Sequence, residues 1–114
     1  MAYDELFANR IREALFELRD CEEKRMFGGL CFMLEEKMLV CIRENDLLCR
    51  IGKSQAELEL QNDSCRQMIS RGKVMKDFVY VDTIEVKTSH DLQYWITLAL
   101  NFHQENKIVK NKKA

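Results

Sequence analysis

Apolar positions between residues 4 and 18 recur with a helical period. Phe7, Ile11, Ala14, Leu15 and Leu18 fall on one stripe, while Arg10, Arg12, Glu13 and Glu17 fill the other faces. That spacing predicts an amphipathic helix. Asp4 and Glu5 stand in its first turn, where the helix dipole favours negative charge. The period then shortens. Residues 25–27, 30–34, 38–42 and 47–51 are apolar runs parted by Gly28-Gly29, Glu35-Glu36-Lys37 and Glu44-Asn45-Asp46. Runs this short and this close predict strands paired as an antiparallel meander. Residues 54–67 are polar, with Ala56, Leu58 and Leu60 as apolar anchors and Met68 just beyond, and predict a short or irregular helix. Ser70-Arg71-Gly72-Lys73 predicts a turn, residues 78–81 a strand, and residues 83–86 its extension or successor. Thr88-Ser89-His90-Asp91 opens the clearest element, a helix to about residue 105 whose buried face carries Leu92, Trp95, Ile96, Ala99 and Phe102. The order α-β-β-β-β-(α)-β-α, strands in the middle and helices at the ends, predicts an α+β fold and not a wound parallel sheet.

The predicted hairpin is apolar on both sides. Leu30, Phe32 and Leu34 share one face, and Cys31 and Met33 the other. On the partner run, Met38, Val40 and Ile42 are set against Leu39 and Cys41. An antiparallel sheet with one solvated face alternates apolar and polar residues, and here neither face is polar. Two helices can cover one face. The second, bearing Cys31, Met33, Leu39 and Cys41, needs a further cover. A second subunit is the expected one, giving a homodimer, because monomers rarely expose large apolar patches. A loop or the middle segment of the same chain is the alternative.

Composition narrows the function classes. A chain of 114 residues makes one domain with a single modest core. Residues 1–106 are expected to form it, with residues 107–114 as a basic, fraying tail. A net charge of −1 lacks the basic excess of most nucleic-acid-binding modules. The tail's lysines alone would give only weak, salt-sensitive affinity for phosphates, so direct nucleic-acid binding is not expected. No apolar run approaches the roughly 20 residues that span a bilayer. The acidic start, Met1-Ala2-Tyr3-Asp4-Glu5, carries no signal-peptide core. Five cysteines, none at C-x-x-C spacing, fit free thiols in a reducing cytoplasm.

Candidate chemistry is sparse. In Arg25-Met26-Phe27-Gly28-Gly29 the two glycines permit positive φ or close backbone approach, which marks a bulge or a re-aiming of the chain between strands. The motif could also meet a partner. It is no phosphate loop, since a strand follows it and not a helix amino terminus. Arg71, Gly72 and Lys73, with Lys76 nearby, form a basic turn that could hold an anion or an acidic partner, or stand simply as solvated surface. Cys31, Cys41 and Cys49 lie inside predicted strands and read as small buried hydrophobes. With a three-residue loop Cys31 would face Cys41 across the hairpin, an arrangement compatible with two thiols. Structural zinc sites favour closely spaced cysteine pairs, so no metal is expected. His90 and His103 stand about 20 Å apart along one helix and cannot share an ion. No serine or cysteine has a histidine at a recognisable motif spacing. Catalytic residues and cofactors are therefore not expected.

An ordered set of short motifs resembles the amino-terminal domain of the TfoX/Sxy proteins, bacterial regulators of natural competence. It runs from Arg25-Met26-Phe27-Gly28-Gly29 through Leu47-Leu48-Cys49-Arg50-Ile51, Arg71-Gly72-Lys73-Val74-Met75 and Phe78-Val79-Tyr80-Val81. It closes with Asp91-Leu92-Gln93-Tyr94-Trp95-Ile96 and covers roughly residues 4 to 104. The turn Glu35-Glu36-Lys37 departs from it, lacking the glycine common there in the family. The resemblance implies a two-layer fold, α-β3-α-β2-α, with an antiparallel sheet flanked by helices, a cytoplasmic location and no active site. It covers the first of two domains of full-length competence regulators. The expected function is a non-enzymatic module acting through a protein partner in transcriptional or competence-type regulation. The alternatives are a small ligand-binding protein or enzyme with a pocket between sheet and helices, and a weak nucleic-acid binder.

Overall fold

The computed structural model describes residues 3–113 except Arg19, Phe27, Asp63 and Ser64, and of residues 107–113 the backbone alone. The chain runs through helix α1 (Glu5–Ala14) and strands β1 (Cys21–Met26), β2 (Gly29–Leu34), β3 (Lys37–Arg43) and β4 (Asp46–Arg50). Helix α2 (Lys53–Glu59), strands β5 (Cys65–Ser70) and β6 (Lys73–Asp82), a 3₁₀ turn (Thr83–Glu85) and helix α3 (Ser89–Lys113) follow. The strands form one sheet in the order β1-β2-β3-β4-β6-β5, antiparallel at every pairing. This is the expected α+β class. The order agrees in outline with both expectations and adds one strand to each: β5 to the periodicity reading, β1–β4 in place of three strands to the resemblance. The basic tail expected at 107–114 falls on residues whose side chains lie outside the described ones.

Each helix has an identifiable local cause. Asp4 caps α1, its Oδ1 accepting from the amides of Leu6 at 2.9 Å and Phe7 at 3.3 Å, and the stripe Phe7, Ala8, Ile11 and Leu15 is buried. At the start of α3, Thr88 Oγ1 accepts from the Asp91 amide at 3.1 Å while Asp91 Oδ2 accepts from the Thr88 amide at 3.1 Å. This reciprocal pair is a capping box with aspartate in the acidic position. Arg10 ties the two helices together, donating to the carbonyls of Val86 at 2.9 Å and Thr88 at 3.0 Å. Leu92, Trp95, Ile96, Ala99 and His103 are the buried face of α3.

Helix α2 stops at Glu59, well short of the expected residue 67, and Cys65–Ser70 is strand β5. The strand alternates poorly because it is an edge: Arg66, Gln67 and Ile69 face solvent. A polar edge strand and a polar helix look alike in hydropathy. Gly29 fulfils the expectation of close approach. A Cβ there would lie 2.4 Å from the Ile42 carbonyl oxygen, and Gly28 has φ +74°.

Two clusters of buried side chains lie on opposite faces of the sheet. The larger joins α1, α2 and α3 to Leu30, Phe32, Leu39, Val40, Ile42, Leu47, Cys49, Val79 and Val81. The smaller contains Cys31, Met33, Met38, Cys41 and Leu48, with Met26, Met68, Phe78 and Tyr80 packed against it. Two expectations are corrected here. First, the register shifts between Phe32 and Met33, which pair with Val40 and Met38. Leu39 is thus the extra residue of a β-bulge. It joins the helix-covered core, and Met38 takes the place expected for it on the second face. Second, that face does not wait for a second subunit. Met33 is 8 % exposed, Cys41 1 % and Cys31 0 % within a single chain. Among the described residues the cover comes from side chains of the strands, Met26, Met68, Phe78 and Tyr80. A cavity is lined by Cys41 and Arg43 of β3, Leu48 of β4, Tyr80 of β6 and Met68 to Ser70 of β5, so the far edge curls back over the middle. A second register shift, at Gln67/Met68, bends β5 where it does so. Arg66 closes one end, its guanidinium 5.5 Å from the Tyr80 ring centroid and paired with Asp46.

Candidate interaction surface

With both sheet faces closed, exposed apolar side chains lie elsewhere, singly at Leu6, Phe16, Ile84 and Tyr94 and together around the β5–β6 hairpin. The two-residue turn Arg71-Gly72 joins β5 to β6, with φ +53° and +78°. Left-handed values at both central residues suit the sheet's own twist and make a tight hairpin. Its strands present Ile69, Val74 and Met75 at 61, 44 and 36 % exposure. Leu58 on α2 is exposed as well. Between α2 and this hairpin lies a cavity of about 340 Å³. Ala56, Leu60, Val74, Met75 and Phe78 supply its apolar wall, and Lys53, Glu57, Gln67 and Lys76 its polar rim. Arg71, Gly72 and Lys73, the basic turn picked out in the sequence, form the exposed tip of the same hairpin. The groove therefore offers apolar surface framed by cations, with Glu57 as an acidic member of its rim.

The other motif lies elsewhere. Arg25 and Met26 end β1, and Gly28 and Gly29 turn the chain into β2, with Phe27 outside the described residues. Met26 packs against the second core, and Gly29 against Ile42 and Arg43. These are contacts within the fold. Cys31, Met33 and Cys41 are brought together in the second core, and Leu39 is separated from them.

Sequence reasoning missed two buried polar arrangements. Glu59 is buried on α2, and its Oε2 accepts from the Tyr94 hydroxyl at 2.5 Å and from Gln55 Nε2 at 2.7 Å. That hydrogen bond, helped by burial and by the carboxylate's charge, pushes the Tyr94 phenol up to about 12. The i, i+4 spacing of Gln55 and Glu59 was the available signal. His103, buried on α3, places Nε2 3.2 Å from Glu35 Oε1 in the β2–β3 turn. Both arrangements fasten helices to neighbouring elements.

A further cavity, of about 410 Å³, lies beside Gly52, where α2 begins. Lys53, Ser54, Gln55, Asp77, Asn101 and Glu105 line it, with the Phe102 ring. No histidine or cysteine is among its lining residues, and no group of three or more metal-ligating His, Cys, Asp or Glu occurs among the described residues. Among the described residues no helix is long and apolar enough to cross a membrane.

Comparison with known families adds one finding. A model described as the TfoX N-terminal domain matches residues 13–103. Neither the curated proteins nor the solved structures gave a match.

Proposed function

Because the chain belongs to the TfoX N-terminal domain family, a regulatory type and not a known enzyme family, we propose that it is a non-enzymatic, cytoplasmic interaction module. It acts in competence- or transcription-type regulation by docking a protein partner in the groove between α2 and the β5–β6 hairpin. The observation that supports this reading is the coincidence of Val74 and Met75, exposed on the hairpin and lining the groove, with Lys53 and Lys76 on its rim and Arg71 and Lys73 at the hairpin's tip. Apolar anchors inside a polar rim are the usual anatomy of a docking surface, and the charge complements a partner segment that carries acidic and apolar residues.

The test compares Val74→Asp and Met75→Asp, two groove-lining positions, with wild type and with Leu6→Asp, an exposed apolar position on α1. Partners captured from the host's extract are identified by mass spectrometry, and an acidic-apolar segment of one is then titrated as a synthetic peptide. Binding lost in the two hairpin variants and kept in Leu6→Asp supports the groove. Equal binding by all three overturns it. Light scattering on the same proteins shows whether a second copy is the occupant instead.

The cavity of about 410 Å³ beside Gly52 favours a second reading, a small-molecule site, since ligand pockets begin near roughly 300 Å³. A ligand that raises the melting temperature of wild type, and no longer does so with Asn101→Leu, would favour it.

A further inference from the structure

The second core holds two thiols that the docking surface does not use. Cys31 and Cys41 are register partners across β2 and β3. They share one cluster with Met33, Met38 and Leu48, and both are free thiols.

The ladders show what kind of pair they are. Strands β3 and β4 close on a two-residue turn between Arg43 and Asp46. The residues that flank such a turn exchange both backbone hydrogen bonds, and bonded and non-bonded pairs then alternate. Ile42–Leu47 is thus non-bonded and Cys41–Leu48 bonded, so the backbone of Cys41 is directed at β4. Across the other seam, Cys31–Cys41 must be a non-hydrogen-bonded pair. Counting from the β2–β3 turn agrees: Leu34–Lys37 is bonded, Met33–Met38 is not, Phe32 meets the bulge and Val40, and Cys31–Cys41 is again non-bonded. In such a pair the Cα atoms lie about 4.5 Å apart with side chains closest, inside the span of about 4.4–6.8 Å that a disulfide bridges. Both side chains point to the same face, so a bond needs rotation about χ1 and no movement of the chain.

Both thiols are buried, and the way in is through Cys41. Cys41 lines a cavity of about 210 Å³, with Arg43, Leu48, Met68, Ser70 and Tyr80 in its wall. The two sulfurs share a hydrogen bond, which favours a thiolate on Cys31 and holds the Cys41 proton. The hydrogen bond to Cys31, burial and the Cys31 charge push the Cys41 thiol well up, opposed only by the Arg43 charge.

We propose that Cys31 and Cys41 form a site of reversible oxidation, closed by a hydroperoxide to a cross-strand disulfide and reopened by a dithiol. A thiolate of the pair attacks the peroxide, its O–O bond breaks, and the released alkoxide takes a proton to leave as the alcohol. The sulfenic acid formed is attacked by the neighbouring sulfur. The S–O bond breaks, the S–S bond forms, and the hydroxyl leaves with the remaining thiol proton as water. Two electrons pass from the sulfurs to the peroxide, whichever sulfur reacts first. A dithiol returns them by exchange and is itself oxidised.

The test treats reduced full-length protein with hydrogen peroxide, quenches with acid, and alkylates free thiols in denaturant. The result expected is loss of alkylation at Cys31 and Cys41 alone, a linked peptide joining them, and recovery of both thiols with dithiothreitol. Cys21, Cys49 and Cys65 stay alkylatable. Cys31→Ala and Cys41→Ala, substitutions without a buried hydroxyl, each abolish the linked peptide. Full alkylation of both thiols after peroxide, linkage of a different pair, or linkage only in protein unfolded by urea would each overturn the proposal.

Discussion

At the scale of single residues, three backbone positions carry more of the design than their side chains suggest. Glu35 and Glu36 hold φ +50° and +68°, a left-handed pair that asparagine and glycine occupy most readily. The turn lacks glycine, so the strain is paid at Glu36, while Glu35 is engaged with His103. Glu36→Gly should raise stability by about 0.5–1 kcal/mol, the relief at a left-handed site less the added freedom of the unfolded chain. Chemical denaturation reads it as a higher midpoint with an unchanged slope. Gly29 is the opposite case, since the Ile42 carbonyl leaves no room for a methyl group. Tyr94 supplies a pH signature. Its phenol ordinarily ionises near 10.0 and is held up to about 12 by donating to Glu59. A group whose folded value is raised contributes stability that is complete below its unfolded value and lost as pH rises through the folded one. Stability should therefore fall between about pH 10 and pH 12. Glu59→Gln should lower the ultraviolet ionisation midpoint of Tyr94, because the charged acceptor is removed.

At the scale of elements, legibility followed the strength of each local signal. Helices α1 and α3 could be read because their apolar stripes are long and their caps conventional. The Thr88–Asp91 capping box was visible in Thr88-Ser89-His90-Asp91 before any contact was known. Thr88→Ala should cost about 1 kcal/mol, the usual worth of a cap, seen as a lower thermal midpoint with the same folded spectrum. Strand β5 could not be read. Its exposed side chains mix Arg66 and Gln67 with Ile69, and its partner β6 is met only after a turn, so the signal for it lies in pairing and not in its own pattern. The Cys31–Cys41 pairing was anticipated from a three-residue loop. A two-residue turn plus a bulge at Leu39 leaves the same register beyond the bulge, and for that reason the pair was correct while Met38 and Leu39 exchanged faces. The groove beside α2 is half visible in the sequence: Arg71, Gly72 and Lys73 stand out, but Val74 and Met75 lie on the first half of β6, before the apolar run at residues 78–81 that predicts the strand.

At the scale of the whole molecule, a sheet with two apolar faces has to find cover for both. Periodicity counts faces but not curvature. It sees Cys31, Met33 and Cys41 opposite the helix side and expects a second chain to bury them, whereas they are buried within one. Register shifts in the β2–β3 and β6–β5 seams and large side chains at Phe78 and Tyr80 accompany the closing of this face, and no helix residue enters that second core among the described residues. This closure has a thermodynamic consequence that separates it from a dimer interface. If the second core belongs to one chain, its loss is felt by an isolated molecule. Leu48→Ala, at a site only 3 % exposed, should then cost about 2–4 kcal/mol. The thermal midpoints of wild type and variant should stay constant as protein concentration is varied. A core completed by a second copy would tie stability to concentration by mass action, so a midpoint that climbs with concentration in wild type but not in Leu48→Ala would return the second face to the role of an interface.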